Sequence, residues 1–64
     1  MRLTEFWARL EVAVGPRLAR SWAQTQVHPA LGNRTVVEAL DAGEDPRDVW
    51  AVVHRTLELP DSER

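Results

Sequence analysis

Two histidines, two serines and one acidic cluster are the side chains with which this chain could make or break bonds. Their spacing argues against each use. His28 and His54 are separated by a loop and two helical segments. No short His/Asp/Glu spacing supplies the further ligands that a metal ion needs. His28, placed before a proline, reads as a loop residue, and His54 as a half-exposed filler beside an apolar stripe. Ser21 and Ser62 have no base partnered by a motif, and the glycine turns do not spell a phosphate loop. Glu44, Asp45 and Asp48 lack calcium-loop spacing, and helix capping with the helix dipole explains them. No catalytic residue, metal ligand or cofactor site is expected.

Recognition chemistry has more to work with. Arg17, Arg20 and Gln24 recur at i, i+3 and i+7, a spacing that puts them on one helical face with no acid among them. Arg17 stands near the start of its helix, where the dipole gives a cation nothing. Arginine also pairs carboxylates with a planar fork. This face is therefore the candidate dock for an acidic surface on another protein. The competing readings are a solvated face, or one neutralised by the acids of residues 44–48.

A second candidate is a helix-turn-helix. Ala39 and Gly43 sit four apart, with Val49 and Val52 ten and thirteen residues after the alanine. A small residue permits close approach, glycine makes the turn, and the valines anchor the second helix. Arg47, Ala51, His54 and Arg55 would face DNA, with the two arginines able to reach phosphate or guanine. Glu38 and Glu44 stand where that motif is usually apolar. The neighbouring acids oppose a phosphate backbone, the main source of affinity. Protein binding therefore ranks above DNA binding, and catalysis ranks third.

The elements that must position these residues are legible in turn. Thr4 is a candidate N-cap, and Leu3, Phe6, Trp7, Leu10 and Val14 follow a helical period, which predicts a first helix over about 4–14. Gly15-Pro16 stops it and starts a second helix, expected from Pro16 to Gln26, with Leu18, Ala19, Trp22 and Ala23 inward. The segment from His28 to Asn33 reads as a loop with Leu31 tucked in. Thr35 and Glu38 form a capping box for a short third helix that Gly43 ends. Asp45 caps a fourth helix with Pro46 at its first position, and Val49, Trp50, Val53, Thr56 and Leu57 form its buried stripe. Leu59-Pro60 stops it. The expectation is an all-α fold of four helices, one domain over 1–60, and a polar tail over 61–64.

Sixty-four residues support only a modest core, so Trp7, Trp22 and Trp50 are expected to carry much of the burial. There is no cysteine, hence no disulfide and no thiolate zinc site. No apolar run approaches the roughly 20 residues of a membrane span, and the first residues lack a signal-peptide core, which suggests a cytoplasmic protein. All eight basic residues are arginine, a bias that fits a GC-rich genome rather than a ligand. Residues 1–34 hold five Arg against two Glu, and residues 35–64 hold three Arg against eight acids, so the halves carry opposite charge. Such asymmetry fits a partner surface or mutual attraction of the halves.

The segments MRLTEFW, GP with ARSWA, and LGNRTVVEALDAGEDPRDVW resemble a small actinobacterial family, domain of unknown function 3046. The pattern RTxxEALxAGxxPxxVW carries most of the likeness. The sequence departs from the family at Asn33, where a second glycine is usual, and at His54, where cysteine is frequent. The resemblance implies no activity, cofactor or catalytic residue. It implies a connection to DNA metabolism or stress response, because the family's genes often neighbour the recombinase of homologous repair and its regulator.

Overall fold

The computed structural model describes residues 1–63. Helix α1 spans Leu3–Val14 and α2 Ala19–Thr25; strands β1 (Val27–His28) and β2 (Arg34–Thr35) follow, then α3 (Val36–Asp41) and α4 (Pro46–Thr56). Single 3-10 turns occupy Pro29–Leu31 and Asp61–Glu63. The four helices are as expected, but the fold is not strictly all-α. β1 and β2 pair antiparallel, Val27 with Thr35 and His28 with Arg34.

The ladder has local causes. Pro29 keeps His28 extended, at φ −122° and ψ 121°. Gly32 and Asn33 both take positive φ, 72° and 60°, and reverse the chain. Thr35 is extended because an N-cap residue must be (φ −75°, ψ 166°). Two extended dipeptides therefore arrive side by side, too short to show any alternation in sequence.

The caps of α3 and α4 are as read. Thr35 Oγ1 accepts from Glu38 N–H at 3.1 Å, and Glu38 Oε1 accepts from Thr35 N–H at 2.8 Å. Gly43, at φ 93°, closes α3: Gly43 N–H donates to Leu40 O and Glu44 N–H to Ala39 O. Asp45 Oδ1 accepts from Arg47 N–H at 2.9 Å. The far end of α4 uses the same closure without a glycine. Glu58 stands at φ 53°, Glu58 N–H donates to Arg55 O, and Leu59 N–H donates to His54 O.

Two expectations about the first half require correction. The first helix is capped at Arg2 rather than Thr4, because Glu5, one turn in, reaches back to Arg2 N–H at 3.3 Å. The second helix does not begin at Pro16. Leu18 N–H and Ala19 N–H both donate to the Gly15 carbonyl, so Pro16–Leu18 forms a separate turn and the helix starts at Ala19. It ends at Thr25, since Gln26 is already extended.

The core sits where α1 and α3 each pack on α2 and α4. Phe6, Leu10, Val36, Val49 and Val53 are its largest fully buried side chains. Phe6 presents its ring edge-on to Trp7 and Trp50, with centroids 5.6 and 5.7 Å apart. Leu31 is tucked in as expected. Of the tryptophans only Trp50 is buried, while Trp7 and Trp22 are half-buried, so burial rests on aliphatics and Phe6 more than on tryptophan. Leu18 is exposed rather than inward, Val27 on β1 is exposed too, and Thr56 falls outside the α4 stripe. Within the expected tail, Asp61–Glu63 makes its short turn, and Arg64 lies outside the described residues.

Candidate interaction surfaces

His28 departs most from its expected role. It is a buried strand residue, 5% exposed, with its ring 5.4 Å from that of Trp22. Its Nε2 is buried with no hydrogen-bond partner among the described residues. Burial pushes the imidazole below its ordinary pKa by disfavouring the charged form. The proline after His28 marks it as extended, but nothing local announces that its ring is buried. Beside it, Arg34 joins two loops. Its Nε donates to Leu31 O at 2.9 Å and its Nη2 meets Glu44 Oε2 at 2.7 Å. Glu44, an apolar position in helix-turn-helix units, here anchors the α3–α4 turn to the preceding loop.

Arg17, Arg20 and Gln24 are all exposed, but they do not share one helix. Arg20 and Gln24 lie one turn apart on α2, and Arg17 belongs to the turn before it. The Arg20 guanidinium stacks over the Trp7 ring, 4.3 Å from its centroid. Neither Arg17 nor Arg20 forms an ion pair with an acid of residues 44–48. Those acids serve nearer groups: Glu44 pairs with Arg34, and Asp45 caps α4 and sits 3.8 Å from Arg47.

The α3–α4 hairpin has the packing its spacing implies. Ala39 and Val49 are fully buried, Val52 is half-buried and Gly43 makes the turn. Arg47, Ala51 and Arg55 are exposed on α4. His54 is half-buried, and its Nε2 lies 2.9 Å from Pro60 O, where the Nε2–H tautomer donates. His54 thus ties down the segment after α4. Among the described residues no group of three His, Cys, Asp or Glu side chains could hold a metal ion.

Residues 1–62 match the family model described as protein of unknown function (DUF3046). The chain belongs to that family. No curated protein and no solved structure matches it. Two positions singled out in the sequence acquire a physical setting. Asn33 holds a left-handed conformation that asparagine tolerates better than most residues. His54, as its Nε2–H tautomer, supplies the donor to Pro60 O.

Proposed function

We propose that this domain is a non-catalytic protein-interaction module, cytoplasmic, that docks an acidic protein surface on the face bearing Arg17, Arg20 and Gln24. The observation that carries the reading is Arg20 lying on half-buried Trp7, with exposed Arg17 one turn away and, among the described residues, no acid in an ion pair with either. Arginine and tryptophan are the residues most enriched where interfaces concentrate their binding energy. The stacked guanidinium is held in place at one face and keeps its edge for a carboxylate. The family resemblance suggests a partner from DNA metabolism or the stress response.

The second reading is DNA binding through Arg47, Ala51, His54 and Arg55, favoured by the buried Ala39 and Val49 and the Gly43 turn. Against it stand the half of the chain that carries α4, with eight acids to three arginines, and the engagement of His54 with Pro60.

Arg17→Glu combined with Arg20→Glu tests the first reading. Capture of a partner by the domain is expected to be lost while the fold persists, and unchanged capture would move the dock elsewhere. Fluorescence anisotropy with mixed-sequence duplex tests the second. No useful affinity is expected near physiological salt. Salt-sensitive, submicromolar binding abolished by Arg47→Ala or Arg55→Ala would reverse the ranking.

A further inference from the structure

The corner between α1 and α2 is built in a way that local helix chemistry does not explain. Leu18 holds the N-cap position of α2, makes no side-chain cap and is 62% exposed. Ser, Thr, Asp or Asn would serve that position better. Leu18, Val14 and Pro16 line an open concavity of about 650 Å³ together with Gly15 and Arg17. A Cβ placed on Gly15 would meet no atom within 4 Å, so the space above it is clear. The lining is aliphatic apart from Gly15 and one charged residue, Arg17, and holds no acid.

We infer that this concavity receives an aliphatic side chain from an acidic segment of a protein partner, with Arg17 pairing a carboxylate of the same segment. The inference rests on the proposed function and specifies its partner. Charge complementarity selects an acidic segment, because the one charged residue of the lining is positive and no acid of the lining answers it. Shape and polarity select an aliphatic anchor, because the walls are Val14, Pro16 and Leu18 with no aromatic platform. A nucleic acid would need several cations where this corner offers one. Arg20, on Trp7 beyond the corner, extends the contact along α2.

The probe is a short helical peptide rich in glutamate with leucines one turn apart, titrated into the isotope-labelled full chain and followed by amide chemical shifts. Two control peptides replace the leucines with serine or the glutamates with lysine. Saturable shifts at Val14–Leu18 are expected, with each control about tenfold weaker or worse. Leu18→Ser should weaken the first peptide by a similar factor with a melting midpoint no lower than the parent's, since serine suits the N-cap position. Equal binding of the controls, indifference to Leu18→Ser, or shifts confined to α4 would overturn the inference. So would concentration-dependent mass in sedimentation with shifts at the same corner, which would seat a second copy there. The two readings fail separately. If Arg17→Glu with Arg20→Glu abolishes peptide binding while Leu18→Ser and the serine peptide change nothing, the arginine face stands and the aliphatic pocket falls. If none of these changes matters, both fall.

Discussion

Arg34 and Glu44 join the 29–33 loop to the α3–α4 turn through one 2.7 Å contact, while the same guanidinium holds Leu31 O. Both side chains are more than a third exposed, so the pair itself contributes little, about 0.5–1 kcal/mol. Arg34→Ala should cost more than Glu44→Ala, because it also frees the Leu31 carbonyl. Urea midpoints of the two single variants and the double variant measure this. A coupling energy near zero would mean the contact only decorates the loop.

Phe6 and Trp50 meet edge to face between α1 and α4. Trp50→Ala removes a large buried ring and should cost about 3–5 kcal/mol, most of what a domain of this size holds. A double-mutant cycle with Phe6→Leu should show about 0.5–1.5 kcal/mol of coupling from ring geometry. A urea midpoint matching the parent in Trp50→Ala would place the core elsewhere.

His28 should make stability depend on pH near neutrality. The unfolded imidazole titrates near its ordinary 6.5, and the folded one is lowered by desolvation. As pH falls below about 6.5 the unfolded chain takes up a proton that the folded chain resists, so stability falls. Above that value both states are neutral and the effect vanishes. Melting curves between pH 7 and about pH 5 should show the decline, and His28→Leu should flatten it. An unchanged slope in His28→Leu would assign the dependence to other groups.

Glu58 ends α4 in a left-handed conformation that a Cβ disfavours by roughly 1–2 kcal/mol. Glu58→Gly should therefore raise stability by about 0.5–1 kcal/mol, after allowing for the freer unfolded chain. Asn33→Gly should gain less, since asparagine already tolerates its positive φ. Thermal midpoints order the two variants, and a larger gain at Asn33 would contradict the comparison.

Local chemistry alone determined the second half of the chain. Thr35 with Glu38, Gly43, and Asp45 with Pro46 each act within about one helical turn, so their roles can be read from neighbours in the chain. The helical spacing of Val49, Trp50 and Val53 then assigns the buried face of α4. Arg20 and Gln24 were likewise legible as one exposed face. Tertiary structure decided the rest. Arg17 is the local exception: it stands outside α2 because the Gly15 carbonyl accepts two donors, a turn that Gly-Pro spelling does not announce. His28 became buried because a ladder pairs it with Arg34, six residues on, and Trp22 closes over it. Arg20 chose Trp7 over the acids of residues 44–48 because α1 lies against α2. The settings of His28 and Arg20 depend on which surfaces meet once the core collapses. Burial and pairing between distant residues leave no periodic mark in the chain, whereas caps and turns must satisfy their donors on the spot.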